Sequence, residues 1–521
     1  MSDQPSLFDD LVDLPPAGRR STTAVADGPR YSALDVSRAL GQEHAPTPEQ
    51  AAIVEAPLQP QLVVAGAGSG KTETMTARVV WLVANDLVRP EEVLGLTFTR
   101  KAAGELADRV GARLAALADS GLWSPPEHDD AGALVLPGAP TVTTYHSYAG
   151  ALVREHGPLL GRERDARLLT EAASWQLAHE AVLSYDGPME ELDWVESTVT
   201  SMVVALSGEL AEHLRAPEEA QAYLETVADR WLAADAAASK GLKAVRDQAT
   251  ALRRRALVLP VVRRYLDLKH ERGVLDFSDQ MALAARLAQE VPVVGAGERG
   301  RYRVVLLDEF QDTSEAQLVL MTSLFAPQGR PPSPVTAVGD PHQSIYAWRG
   351  ASATTLATFP ERFGGAPVLH LSRSWRNDDA VLEAANAVAE PLRAGSAVPV
   401  LPLDARPGAG RGQVWAARVS DAAAEADLVA RWVQERRGDG RRSAAVLCRK
   451  RSQFTAITAA LAARDIPHEV VGLGGLLLTP EVADVVALLT VVQDPARGDR
   501  LMRLLTGPVC RLGAADIAAL A

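Results

Sequence analysis

Three short stretches carry residue types that could do chemistry on a phosphate. The first is "AGAGSGKT", residues 65–72, which follows an apolar run and opens an amphipathic one. Glycines let backbone N–H groups wrap a phosphate chain, and a helix N-terminus adds a favourable dipole. Ala65, Gly66, Ala67, Gly68, Ser69 and Gly70 would form the cradle, Lys71 would reach the β- and γ-phosphates, and the Thr72 hydroxyl would bind Mg²⁺. The usual spacing has a glycine where Ala65 stands, but Gly66, Gly68 and Gly70 keep the loop permissive. The second stretch, "VVLLDEFQDTS" at 304–314, reads as a buried strand ending in carboxylates. Acids there cost desolvation unless they bind something. Asp308 would hold Mg²⁺ and Glu309 would position and deprotonate an attacking water. The third, "AVGDPHQSIYAWRGA" at 337–351, puts Gln343, Tyr346, Trp348 and Arg349 in one loop. A core has little use for the amide and guanidinium, and a plain solvent loop has little use for the aromatics. Together the first two stretches imply a nucleoside triphosphatase, and the third implies that a second ligand is felt beside the phosphate.

The elements that must position these residues are strands and helices in alternation. Short apolar runs separated by amphipathic helices indicate a parallel sheet in an α/β fold. Residues 1–45 read as a flexible N-terminal arm, and 46–118 with 276–362 as a first α/β lobe. Residues 119–275 read as a helical insertion in that lobe, 363–475 as a second, incomplete α/β lobe with strands "PVLHLS", "GQVWAARV" and "AAVLCR", and 476–521 as the start of a second helical insertion. The only cysteines, Cys448 and Cys510, lack metal-ligand spacing, which argues for a reducing compartment. The acidic start "MSDQPSLFDDL" is no signal peptide and no apolar run is long enough to span a membrane, so the chain reads as cytoplasmic. A net charge of −13 disfavours binding to nucleic acid over the whole surface, although a local basic patch suffices. The run Arg246, Arg253, Arg254, Arg255, Arg263, Arg264, Lys269 and Arg272 reads as a solvated helix face.

The ordered set "TPEQAAIV", "AGAGSGKT", "GLTFTRKAAGELADRV", "TTYHSYA", "LDFSDQ", "LLDEFQDTS", "AVGDPHQSIYAWRGA", "LSRSWRN" and "AVLCRKRSQF" resembles superfamily 1 DNA helicases of the UvrD/Rep/PcrA type. The resemblance spans residues 45–480 and implies two RecA-like P-loop lobes, with ATP and Mg²⁺ between them and single-stranded or duplex DNA across both. It implies that Gln50 reads adenine, that Trp375, where the family usually has Tyr, stacks on it, and that Arg376 and Gln343 reach the γ-phosphate. Tyr346 and Trp348 would stack on DNA bases, a contact worth about 1–3 kcal/mol each. Phe98 and Thr99 would wall another base pocket, and Thr144, His146 and Ser147 would face the DNA backbone.

The family pattern continues with segments like "T-x-H-x-x-K-G-L-E" and "Y-V-A-x-T-R-A", neither of which occurs here, so the chain reads as truncated. The expected activity is ATP-dependent translocation on single-stranded DNA, 3′ to 5′ by resemblance, in repair or recombination. The alternative is an ATP- and DNA-binding subunit that does not unwind; a metabolic P-loop kinase gains no support from the aromatic loop. "RYSALDVSRALG" with the Ala/Arg-rich composition resembles the motor subunits of actinobacterial heterodimeric helicase–nucleases, which implies a second subunit as partner. "QPSLF", Gln4 to Phe8, resembles the peptide by which bacterial proteins dock on the sliding clamp.

Overall fold

The computed structural model describes residues 28–125, 138–164, 166–189, 192, 194–238, 241–345, 355–438, 440, 442–471, 479–495 and 497–520. The expected contacts of Tyr346, Trp348 and the Gln4–Phe8 peptide therefore lie outside the described residues. The chain divides into two compact units, Met1–Val414 and Trp415–Ala521.

The first unit is built on a parallel sheet. Its strands are β1 (Gln61–Ala65), β2 (Val93–Thr97), β3 (Thr141–Thr144), β6 (Val304–Leu307), β7 (Val335–Gly339) and β8 (Val368–Leu371), in the spatial order β3-β2-β6-β7-β1-β8. The near-continuous apolar runs of β1, β2, β6 and β7, buried along their whole length, are what a parallel strand needs when helices cover both faces. Alternation along each strand sends Leu62, Val64, Leu94, Leu96, Val305 and Leu307 into one core. It sends Val63, Ala65, Val93, Val304 and Leu306 into the other. Helices Tyr145–His156, Phe277–Glu290 and Glu315–Phe325 cover the first face; helices Ala33–Ala39, Pro48–Val54, Lys71–Ala84 and Arg100–Asp119 cover the second.

Three sequence-based boundaries move. Residues 28–45 are not all arm: Ser32 and Asp35 form a capping box that starts the helix Ala33–Ala39. The Tyr31 carbonyl accepts from Trp81 Nε1 at 2.7 Å, which docks this segment on the helix Lys71–Ala84. Strand β3, expected in the insertion, pairs with β2, with Leu94 opposite Thr141. Strand β8, expected in the second lobe, pairs with β1, with Leu62 opposite Val368. A strand goes where a ladder partner and a covered face exist, and neither is encoded in the run of residues itself.

The helical insertion has its own core, formed by helices Glu171–Leu183, Glu196–Glu212, Pro217–Ala237 and Lys243–Glu271. It joins the sheet domain beside the two-residue pair β4 (Arg167–Leu168) and β5 (Val274–Leu275). The basic run is largely neutralised in place: Arg246 pairs with Asp235, Arg253 with Asp229, Arg263 with Glu218 and Asp267, Arg264 with Glu271, and Arg272 with Glu180. Lys269 is buried between Asp276 and Asp279, at 2.8 Å from each. A second short pair, β9 (Arg373–Ser374) with β10 (Asp404–Ala405), follows β8.

In the second unit, helices Ala422–Arg437 and Phe454–Ala462 pack through Ala426, Ala430, Val433, Ile457 and Leu461. The runs 412–419 and 444–449, expected as strands of a second sheet, have no ladder partner among the described residues. Trp415 and Leu447 in those runs are exposed. An apolar run becomes a strand only when neighbours supply its hydrogen bonds. Helices Pro480–Gln493, Gly498–Thr506 and Ala514–Leu520 complete the unit. Among the described residues no helix is long and apolar enough to cross a membrane.

Candidate active site

The parallel register brings the carboxyl ends of four strands to one edge, where ligands bind in open α/β sheets. Val64 lies opposite Gly339, Leu307 opposite Ala337, and Leu96 opposite Leu307. The residues that follow are the glycine loop after β1, Asp308-Glu309 after β6, Asp340 to Gln343 after β7, and Phe98-Thr99 after β2.

The loop from Gly66 to Gly70 turns through left-handed backbone at Gly68 (φ +75°) and at Gly70 (φ +84°), which caps the helix Lys71–Ala84. Side chains rarely adopt this conformation, so the glycines are required by geometry at both positions. Ser69 Oγ donates to the Gly66 carbonyl at 2.8 Å and closes the turn. Lys71 leaves the loop at the helix start and its Nζ lies 3.0 Å from Glu309 Oε2 and 3.5 Å from Gln343 Oε1. Three strand ends thus converge on one ammonium.

Glu309 is held in left-handed backbone, φ 49° and ψ 41°. That conformation costs a non-glycine residue about 1–3 kcal/mol and is found where function demands it. It turns the chain so that Asp308 stays buried while Glu309 reaches Lys71. Asp308 is buried, and among the described residues the one hydrogen bond to its carboxylate comes from the Glu309 N–H at 3.0 Å. Burial first, then the neighbouring Glu309 charge, push its pKa up to about 6, with Lys71 opposing. A cation beside Asp308 would offset that cost. The Thr72 hydroxyl and the Asp308 carboxylate are both oxygen donors, the type Mg²⁺ takes together with waters and substrate phosphates. The residues present therefore fit that ion.

Two residues that the sequence did not single out hold this cluster. Gln311 Nε2 donates to Glu309 Oε2 at 2.9 Å, and its Oε1 accepts from the Asp340 N–H at 3.0 Å, bridging β6 to β7. Asp340 Oδ2 accepts from Gln343 Nε2 at 2.6 Å, which aims the Gln343 carbonyl at Lys71. The loop beyond is fixed to the same strand end: Asp312 Oδ1 accepts from the Ile345 N–H at 3.2 Å, and Ser344 Oγ donates to the Gln311 carbonyl at 3.3 Å.

The opposite side of the glycine loop is lined by Gln50 and by residues 374–376. Gln50 is buried, and its Nε2 stands 3.1 Å from where a Cβ on Gly70 would be. It is also the third residue of a capping box: Thr47 Oγ1 accepts from the Gln50 N–H and Gln50 Oε1 accepts from the Thr47 N–H. The "TPEQ" pattern carried that signal. The Trp375 N–H donates to the Gly68 carbonyl at 2.8 Å, and its ring stacks on His44 with centroids 5.4 Å apart. A Cβ on Gly68 would meet Arg376 Cβ at 2.8 Å and Ser374 Oγ at 2.9 Å. Arg376 is exposed and makes no ion pair among the described residues. Ser374, which the sequence reading also passed over, is fully buried, and its hydroxyl has no partner among the described residues. Glu49 takes both the Ser372 N–H at 3.0 Å and the Ser372 hydroxyl at 2.6 Å, tying the helix of Gln50 to the segment of Trp375.

This geometry can be set beside known proteins. The profile described as the UvrD/REP helicase N-terminal domain matches residues 46–364, and the UvrD-like helicase C-terminal domain matches 369–521. The chain belongs to the UvrD/Rep helicase family. It is 26% identical to the ATP-dependent DNA helicase PcrA of Leuconostoc citreum over 473 residues, covering 90% of this chain and 55% of that protein. It is 28% identical to the ATP-dependent DNA helicase UvrD1 of Mycobacterium leprae over 473 residues, covering 89% of this chain and 54% of that protein. It is 28% identical to DNA helicase II of Escherichia coli over 342 residues, 66% of this chain and 40% of that one. The chain thus spans about half the length of the relatives it matches.

In this UvrD-family chain the residues expected to face DNA divide by position. Phe98 is half-buried, its ring 5.1 Å from that of Tyr145. Thr99 is exposed and caps the helix Arg100–Asp119. His146 is half-buried, edge-on to Phe277 at 6.0 Å. Thr144 does not face outward: it is buried, and its hydroxyl is committed to Ser147 as a helix cap. Tyr145 lies beneath, its hydroxyl pKa raised by burial and by the Asp308 and Glu309 charges.

Proposed function

We propose that this chain is the motor portion of an ATP-dependent DNA helicase, hydrolysing ATP to move along single-stranded DNA. The observation that carries the reading is the meeting of Lys71, Glu309 and Gln343 from three strand ends of one P-loop sheet. Lys71 is paired with Glu309 at 3.0 Å. An entering triphosphate competes for that ammonium through its β- and γ-oxygens. Glu309, relieved of Lys71 and still oriented by Gln311, is then placed to accept the proton of the attacking water. Thr72 and Asp308 would hold Mg²⁺, which when bound offsets phosphate charge. Arg376 lies beside the loop for the γ-phosphate, and Trp375 and Gln50 flank the position of adenine.

Gln343 is the residue through which hydrolysis reaches DNA. It touches Lys71 on one side, and its loop runs through Ser344 and Ile345 toward Tyr346 and Trp348. A shift at Gln343 on loss of the γ-phosphate is passed to Ser344 and Ile345, which lead in sequence to the aromatics, while Phe98, Thr99 and His146 hold the strand from the β2 and β3 sides. Movement 3′ to 5′, a role in repair or recombination, a cytoplasmic setting, a second helicase–nuclease subunit and a clamp contact through Gln4–Phe8 are the finer parts of this reading. The test is the ATPase rate with and without single-stranded DNA, together with strand displacement from a tailed duplex. Strong stimulation with displacement is expected. DNA binding with no turnover would overturn the motor and leave a nucleotide-gated DNA-binding subunit.

A further inference from the structure

The helix Pro48–Val54 carries Gln50, and it is held at both ends by contacts that a solvent-side helix would not need. At its C-terminus the Arg78 guanidinium donates to four backbone carbonyls: Ile53 at 2.9 Å, Val54 at 3.1 Å, Ala56 at 2.9 Å and Pro57 at 3.1 Å. Arg78 is 1% exposed and has no carboxylate partner among the described residues; burial alone pushes its pKa down to about 10. A buried guanidinium without a counter-ion is costly, and only carbonyls at the negative end of a helix offset it. Arg78 sits on the second turn of the helix that begins at Lys71, so it references the helix of Gln50 directly to the phosphate loop. At the N-terminus, the two bonds from Ser372 to Glu49 reference the same helix to the segment of Trp375. Between these anchors the capping box with Thr47 sets the Gln50 amide, with Nε2 turned toward Gly70.

We propose that Arg78 and Glu49 are positioning residues for base recognition: they set where the Gln50 amide stands relative to phosphate loop and aromatic, and thereby set the preference for adenine over guanine nucleotides. This rests on Gln50 reading the base, as in the function proposed above. Displacement of a recognition group by about 1 Å costs up to about a hundredfold in rate, so a loosened anchor is readable.

The experiment is steady-state hydrolysis of ATP and GTP, with single-stranded DNA present, by the wild type, Gln50→Ala, Arg78→Lys and Glu49→Ala. Lysine keeps the charge of Arg78 but cannot span four carbonyls. The readout is the ratio of kcat/KM for ATP to that for GTP, which does not depend on the fraction of molecules folded. Gln50→Ala is expected to lower the ratio about tenfold, and each anchor variant about threefold or more, with a raised KM for ATP and kcat within about twofold. If Gln50→Ala lowers the ratio and the folded anchor variants keep it, the positioning proposal is overturned while Gln50 as reader survives. If Gln50→Ala also keeps the ratio, the reading of Gln50 falls and the proposal with it. If Arg78→Lys does not fold, Glu49→Ala on the half-buried side decides alone.

Discussion

Replacing Asp308 by asparagine is expected to make the nucleotide-free protein more stable, although it removes the carboxylate proposed to hold Mg²⁺. Asp308 is 7% exposed, and burial pushes its pKa from 3.8 to about 6. The folded pKa lies above the unfolded one, so the folded state binds the proton more tightly. The stability linked to this group is therefore fully present below about pH 3.8 and is lost as the pH rises through about 6. The shift of about two units corresponds to roughly 3 kcal/mol of destabilisation at about pH 8, and about half of that remains at about pH 5. Asparagine carries no charge to desolvate and its Oδ1 can still accept the Glu309 N–H. Urea unfolding of the nucleotide-free protein, wild type against Asp308→Asn, measures the difference at the two pH values. The variant should gain about 3 kcal/mol at the higher pH and lose half of that gain at the lower. Added Mg²⁺ with a non-hydrolysable ATP analogue should stabilise the wild type more than the variant. A variant no more stable than the wild type at about pH 8, or a gain that does not change with pH, would refute the account of Asp308 as a desolvated carboxylate awaiting a cation.

Other perturbations read other parts of the site. Lys71→Ala is expected to lower ATP hydrolysis by about 100- to 1,000-fold, as loss of one charge-stabilising donor does, which a coupled phosphate-release assay measures. Gly339→Ala would put a Cβ 2.7 Å from Gln311 Oε1 and 3.1 Å from Gln311 N. The bridge to Glu309 must then shift, at a cost of about 1–3 kcal/mol in thermal or urea unfolding and with a fall in kcat rather than a rise in KM. Lys269→Met would leave the half-buried Asp276 and Asp279 without their cation. A loss of about 3–5 kcal/mol is expected, seen as early unfolding of the insertion by circular dichroism.

How much of this was legible beforehand depends on the range of the signal. The loop at 65–72 and the carboxylates at 308–309 could be read because each is a local pattern, an apolar run followed at once by its chemistry. The Gln50 capping box was local too and could have been read from "TPEQ", as could the helix start at Ser32 to Asp35. Gln311 and Asp340 could not: they matter because β6 and β7 are neighbours, and adjacency in a parallel sheet leaves no trace in either strand's composition. Strand β8 shows the same limit, since "VLHL" reads alike in either sheet.

By itself the sequence determined the α/β class, the glycine loop between strand and helix and the acid pair at a strand end, because period, glycine placement and charge are short-range properties of the chain. The tertiary structure alone decided which groups share the site. Ser372 reaches Glu49 across 323 residues, Gln343 reaches Lys71 across 272, and Arg78 closes the helix of Gln50. Such contacts are selected by the free energy of the packed whole, in which a buried donor must find an acceptor wherever the fold has put one.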